Sequence, residues 1–228
     1  MSETAVFLQV RLASTRLPGK ALLPLAGKPV ISHAMDALAT LPVGCRAVLT
    51  DEASASQLRP LAKASGYEVF CGDPDDVLKR YCTAARRFGI DTIIRATGDN
   101  PLVSAAITRE AMHLQAVTGA DYAGITETPY GTGVEVVRAE ALYDLHRRTS
   151  DPYHREHVTP GIYQDPVRYS VMTRPAAASV RFPSLRVTLD NLCDYRYIVE
   201  LFAELYRGEP IELPEIVNYG HKQHRTSA

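Results

Sequence analysis

The sequence predicts an α/β fold, a three-layer sandwich built on a mostly parallel sheet. Two observations carry that prediction. Through the first half of the chain, short β-branched apolar runs alternate with longer stretches of helical spacing. The runs are continuously apolar instead of alternating with polar residues, which is the pattern of strands covered on both faces by helices. No internal repeat or low-complexity linker interrupts the order, so residues 1–217 are expected to form one domain and residues 218–228 a polar, fraying tail.

Taken in order, AVFLQV, RAVLT and TIIRAT read as strands, and VISHAMDALATL, SASQLRPLAKAS and DVLKRYCTAARRF as the helices between them. Such crossovers give a Rossmann-like sheet that binds ligands beyond the carboxyl ends of its strands. The loops RLASTRLPGK and GDNP, each following a strand, should therefore open on the same edge. After about residue 120 the pattern changes: DYAGI and GVEVV read as strands, AEALYDLHRR as a helix, and HREHVTPGIYQ as a His-rich segment punctuated by proline. Residues 125–165 are a candidate inserted arm. VRYSVMTR and SLRVTLD add extended pieces, and CDYRYIVELFAELYR reads as a helix with Ile198, Leu201, Phe202 and Leu205 on one face.

Composition narrows the partners. A chain of 228 residues that is 46% hydrophobic can bury a proper core. Its 25 basic and 26 acidic residues give a net charge of -1, which argues against nucleic acid or an anionic membrane surface as partner. No run of about 18 apolar residues predicts membrane insertion, and MSETAVFLQV lacks the basic start of a signal peptide, so a cytoplasmic location is expected. Cys45, Cys71, Cys82 and Cys193 form no CxxC pair and are expected to be reduced, mostly buried thiols.

An anion site must then be local, and the first loop is the candidate. A strand ending in Gln9 delivers Arg11 and Arg16 to the sheet edge, where Ala13, Ser14, Thr15 and Gly19 allow backbone N–H groups to approach phosphate oxygens and Lys20 adds a movable charge. The spacing is not that of the GxxxxGK[ST] phosphate loop, and no GxGxxG is present. Pro18-Gly19 is equally an ordinary turn with solvated neighbours. Gly98-Asp99 follows the third strand, with glycine clearing space for a carboxylate suited to Mg²⁺, although Asp-Asn-Pro is also a good helix start. Asp190 ends another strand-like run and supplies a second carboxylate across the same edge; Asp190 and Asp194 are equally possible helix caps. His154 and His157 lie three apart with Glu156 between them, but no third ligand stands at zinc spacing.

These blocks resemble a known family. QVRLASTRLPGKALLPLAGKPVI is similar to the amino-terminal signature of the sugar nucleotide cytidylyltransferases, which include the 3-deoxy-manno-octulosonate and acylneuraminate enzymes. DDVLKRY, GDNPLV, GVEVV, REHVTP and RVTLDNLCD resemble their relatives in spore-coat polysaccharide biosynthesis. The blocks run in family order from about residue 5 to residue 206. The resemblance implies a nucleotide-diphospho-sugar transferase type of fold and a Mg²⁺-dependent transfer of CMP from CTP to an acidic or hydroxylated sugar-like acceptor, for surface polysaccharide. It implies that Arg11, Arg16 and Lys20 grip the triphosphate, that Arg80 and Gly98 lie near the nucleotide, and that Asp99 and Asp190 carry Mg²⁺. Arg155, Glu156 and His157 are then acceptor-side residues, and a homodimer is implied.

The chain departs from the family in two places. Asn191-Leu192-Cys193-Asp194 replaces a Thr-Pro-Glu-Asp run, and Tyr130-Gly131-Thr132-Gly133 replaces an acidic loop that would face the acceptor. Transfer to a phosphonate or polyol phosphate, use of another nucleoside triphosphate, and a non-catalytic nucleotide-binding scaffold remain open alternatives at this point.

Overall fold

Alternate residues of the first strand enter different cores. Val6 and Leu8 of β1 (Thr4–Gln9) lie in one apolar cluster, and Ala5 and Phe7 in another, all fully buried. A strand covered on both faces requires this, and it accounts for the uninterrupted apolar run. The computed structural model describes residues 3–226, with side chains to Gln223.

A short hairpin, β2 (Pro24–Leu25) with β3 (Lys28–Pro29), stands apart from the main sheet. The main sheet contains β1, β4 (Cys45–Thr50), β5 (Glu68–Cys71), β6 (Thr92–Thr97), β7 (Tyr122–Thr126), β8 (Glu135–Arg138) and β9 (Val171–Pro175), in the order β5-β4-β1-β6-β8-β7-β9. Only β8 runs antiparallel to its neighbours among these described strands. The sheet is thus mostly parallel, as expected.

Helices cover both faces. On the Val6 side, α1 (Val30–Ala39), α2 (Glu52–Ala64) and α4 (Ala105–Thr118) contribute Ile31, Met35, Leu58 and Ile107. On the Phe7 side, α3 (Val77–Phe88) and α5 (Ala139–Arg148) contribute Val77, Tyr81, Leu142 and Leu145. Local chemistry starts these helices: Asp51, Asp76 and Ser104 accept from backbone N–H groups in the first turns of α2, α3 and α4. Two short helices follow, α6 (Pro152–His157) and α7 (Pro160–Tyr163).

A third cluster sits beneath the functional edge. It joins α8 (Leu192–Leu205) and α9 (Leu213–Thr226) to Leu25, Leu185, Val187 and Leu189. Val187 and Leu189 are fully buried, each worth about 1.5–3 kcal/mol in transfer free energy, so they clamp the chain just before Asp190.

Several expectations need correction. SLRVTLD is extended but is not a strand of the sheet; a single bridge between Tyr130 and Arg186 is its ladder contact, and apolar burial holds it instead. Residues 218–226 of the expected fraying tail belong to α9, where Tyr219 is buried and Gly220 packs so closely that a Cβ would lie 2.7 Å from Leu185 Cδ2. His221 stacks on Phe182 at 4.4 Å, while the His224 side chain lies outside the described residues. Within residues 125–165, β8 and α5 are built into the sandwich, and α6 is the exposed part. Of the cysteines, all free, only Cys82 is fully buried and Cys193 is exposed.

Candidate active site

Three segments meet at the carboxyl edge of the sheet. The first leaves β1 and is closed by its own backbone: the N–H groups of Ser14 and Gly19 both donate to the Leu12 carbonyl, at 2.9 and 3.0 Å. Leu12 N–H in turn donates to Ser54 Oγ at 3.0 Å. Gly19 adopts φ 66° with open space where a Cβ would stand, so its value lies in the left-handed turn that starts a 3₁₀ turn at Lys20. The amides of Ser14 and Gly19 shape the loop, and Lys20 is its product.

The second segment leaves β6. Gly98 N–H donates to the Gln9 carbonyl at 2.9 Å, and a Cβ at Gly98 would come within 3.0 Å of Val10 Cβ. Glycine is therefore needed there to let two loops touch, and Asp99 follows directly. The third segment ends in Asp190, where Leu189 N–H donates to the Asp99 carbonyl at 3.0 Å. Its backbone N–H donates to the Asp194 carboxylate at 2.9 Å. Asn191 caps α8 in a reciprocal box with Asp194, so the altered family run still builds a sound helix start.

The charges converge on one ammonium. Lys20 Nζ donates to Asp99 Oδ2 at 2.5 Å, to Asp190 Oδ1 at 3.2 Å and to the Leu189 carbonyl at 2.7 Å. Arg16 Nη2 donates to the same Asp190 Oδ1 at 2.7 Å, and Arg186 donates to Oδ2. Side-chain exposures of 12% for Lys20, 24% for Asp99 and 15% for Asp190 place the cluster below the surface, where paired charges are mandatory.

A cleft of about 330 Å³ opens above it. Gln9, Arg11, Ala13, Ser14, Thr15, Arg16, Lys20, Asp99 and Glu156 line it, with Val10, Ala21 and Thr97, which the sequence reading did not single out. Arg11 Nη1 donates to the Pro74 carbonyl at 2.5 Å, drawing the 73–76 turn toward the loop. A larger groove of about 830 Å³ lies at the opposite edge, among Thr4, Arg86, Asp91 and Arg138, away from these charges.

Six of the expected residues do not line this cleft: Gly19, which starts the turn at Lys20, Asp190, which stands in the charge cluster beneath it, and Arg80, Gly98, Arg155 and His157. Arg80 is fully buried; its Nε and Nη2 donate to the Asp73 carbonyl at 3.0 and 2.7 Å, so it supports the 73–76 turn from beneath. Burial, with the Arg11 charge nearby, pushes its pKa down from the ordinary guanidinium value. Arg155 is fastened to Asp76 Oδ2 at 2.7 Å and to the Thr149 and His146 carbonyls, and so anchors α6; it lines a neighbouring groove together with Glu156. His157 packs on Tyr153, with ring centroids 4.4 Å apart. Gly98 packs against Val10, which lines the cleft. Among the described residues no cluster of three His, Cys, Asp or Glu side chains is placed to hold a metal.

A cytidylyltransferase profile matches residues 5–223. The chain belongs to the cytidylyltransferase family. Spore coat polysaccharide biosynthesis protein SpsF of Bacillus subtilis is 29% identical over 224 residues, covering 95% of this chain and 93% of that protein. A cytidylyltransferase from Leptospira borgpetersenii shares the fold at a TM-score of 0.90 with 24% identity, covering 99% and 96% of the two chains. CMP:2-keto-3-deoxy-manno-octonic acid synthetase complexed with CTP superposes at a TM-score of 0.71 with 18% identity, covering 89% of this chain and 99% of that one. This cytidylyltransferase therefore has the nucleotide-diphospho-sugar transferase fold. Among its described residues no helix is long and apolar enough to cross a membrane.

Proposed function

We propose that the enzyme transfers CMP from CTP to an acidic or hydroxylated sugar-like acceptor, with Mg²⁺ and release of pyrophosphate, in the making of a surface polysaccharide. One observation carries the reading: Asp99 and Asp190, from segments far apart in sequence, reach the same ammonium at the foot of a loop bearing Arg11 and Arg16. Two carboxylates sharing one cation position, with Asp99 lining the cleft and Asp190 beside it, fit Mg²⁺, which takes one or two carboxylates and fills the rest of its shell with phosphate oxygens and water. When bound, the ion neutralises phosphate charge and helps to orient the triphosphate.

The chain's own groups do the remaining work. Arg11, Arg16 and Lys20 are gathered at the loop before substrate arrives; with the ion on the carboxylates, Arg16 and Lys20 turn from Asp190 and Asp99 to the β- and γ-phosphates and neutralise their charge. In-line attack of an acceptor oxygen at the α-phosphorus needs positioning and neutralisation more than a protein nucleophile. Glu156 lines both this cleft and a neighbouring groove of about 360 Å³, and is the acceptor-side carboxylate of the proposal. The CTP held by the octonic acid synthetase of the same fold and the polysaccharide role named for SpsF support the choice of nucleotide and pathway class.

The test is release of pyrophosphate from each nucleoside triphosphate, with Mg²⁺ and a panel of acidic sugars. Release from CTP that requires both acceptor and divalent cation is expected. No release, together with no nucleotide binding in any combination, defeats the proposal.

A further inference from the structure

The loop over residues 128–133 lies against the segment that carries Asp190. Gly131 adopts φ 106°, and a Cβ there would fall 2.8 Å from the Thr188 nitrogen, so the two backbones touch. Tyr130 N–H donates to the Leu185 carbonyl and Val187 N–H to the Tyr130 carbonyl, each at 2.8 Å, bracketing Arg186. The Tyr130 backbone is thereby fixed while the residue stays 60% exposed. Such a fixed, exposed aromatic ring has a visible occupant: the Arg186 guanidinium lies over it, 4.9 Å from the centroid.

From that platform Arg186 reaches Asp190 Oδ2 and comes within 3.8 Å of the Asp194 carboxylate. The other oxygen, Oδ1, is the one that faces Arg16 and Lys20. The two oxygens of Asp190 thus have separate partners, one set behind the site and one inside it.

We propose that Arg186, braced by the Tyr130 ring, is a positioning residue that holds Asp190 Oδ2 and so presents Oδ1 to the metal and the triphosphate. The inference rests on the nucleotidyl-transfer reading above. A carboxylate free to rotate about its side-chain torsions loses part of its readiness to ligate, and groups that orient a metal ligand from behind commonly alter affinity by about 10- to 100-fold. The loop that replaces the family's acidic run thereby braces Arg186. A purely electrostatic role predicts the opposite sign, because removing a cation beside the site would tighten divalent binding.

The experiment measures Mn²⁺ affinity by the paramagnetic resonance of free Mn²⁺, on the full chain with a non-hydrolysable CTP analogue present. Arg186→Gln should weaken Mn²⁺ binding about 10-fold. Tyr130→Ala, which changes no charge and leaves the core untouched, should weaken it about 2- to 5-fold, in line with a partly exposed cation–π contact. Tyr130→Phe should match the wild type, and Tyr130→Ala should add nothing once Arg186 is Gln. Wild-type or tighter Mn²⁺ binding in either Arg186→Gln or Tyr130→Ala overturns the proposal. Asp190→Asn separates the two levels: wild-type Mn²⁺ affinity in that variant sinks the nucleotidyl-transfer reading itself, whereas weakened affinity there with unaffected Arg186 and Tyr130 variants sinks only this inference.

Discussion

Replacing Lys20 with alanine removes the cation on which the site closes. In the wild type its ammonium serves Asp99, Asp190 and the Leu189 carbonyl, with only 12% of the side chain exposed. Asp190 keeps Arg16 and Arg186, so the loss falls chiefly on Asp99, whose ion-pair partner among the described residues is Lys20. A charge-assisted hydrogen bond contributes about 1.5–3 kcal/mol, and removal of one partner of a fully buried pair costs about 3–5 kcal/mol. Because Asp99 is 24% exposed and water relieves part of the penalty, Lys20→Ala should destabilise the fold by about 1.5–3 kcal/mol. Urea unfolding measures this. A second signature follows from linkage: millimolar Mg²⁺ should stabilise the variant more than the wild type, since the uncompensated Asp99 carboxylate binds a cation more tightly. Turnover should fall at least about a hundredfold, comparable to the loss of one preorganised transition-state contact. A stability loss below about 0.5 kcal/mol, with the same Mg²⁺ response in both proteins, would show that the three groups are not energetically joined.

The supporting segments give further tests. Gly131→Ala combines a left-handed φ of 106° with a Cβ 2.8 Å from backbone, whereas Gly208→Ala shares a φ of 101° but meets nothing within 4 Å. Thermal unfolding should show a cost of about 1–2 kcal/mol at Gly208 and a clearly larger one at Gly131, and equal costs would refute the close approach of the loop. Leu189→Ala should cost about 2–5 kcal/mol in unfolding experiments and weaken Mn²⁺ binding, because burial of Leu189 anchors the chain beside Asp190; a loss of stability with unchanged Mn²⁺ affinity would separate the anchor from the site. The Asp73 carboxyl is held down to about 2 by the Asp76 N–H, the Lys79 ammonium and the Asp75 N–H. Its folded pKa lies below the ordinary 3.8, so its stabilising contribution is present above about pH 4 and lost as pH falls toward 2. The stability gap between wild type and Asp73→Asn should close over that window, and a gap that persists at pH 2 would contradict the assignment.

Much of the site was legible because its residues obey a rule of parallel sheets. Lys20 and Asp99 each follow an apolar run, and runs in parallel strands deliver their loops to one edge. Asp190 meets Asp99 at Lys20 for a reason other than the expected one: its segment is held by buried Val187 and Leu189, not by strand pairing. The helix over Ala105–Thr118 escaped notice because only Ile107, Thr108 and Ala111 are buried, too weak an apolar stripe to read. Arg80 illustrates a different gap. A fully buried guanidinium whose Nε and Nη2 donate to loop carbonyls looks, in a string of letters, the same as one facing a substrate. Arg186 was invisible because its meaning depends on the Tyr130 ring, a contact made across the fold by residues distant in sequence.

The most direct measurement is the anomalous signal of Mn²⁺ in crystals of the protein grown with a non-hydrolysable CTP analogue. The account predicts one peak within coordinating distance of both Asp99 and Asp190, touching the triphosphate, with Arg16 and Lys20 on phosphate oxygens. A peak bound by neither aspartate, or a triphosphate lodged in the groove at the opposite edge of the sheet, would contradict it.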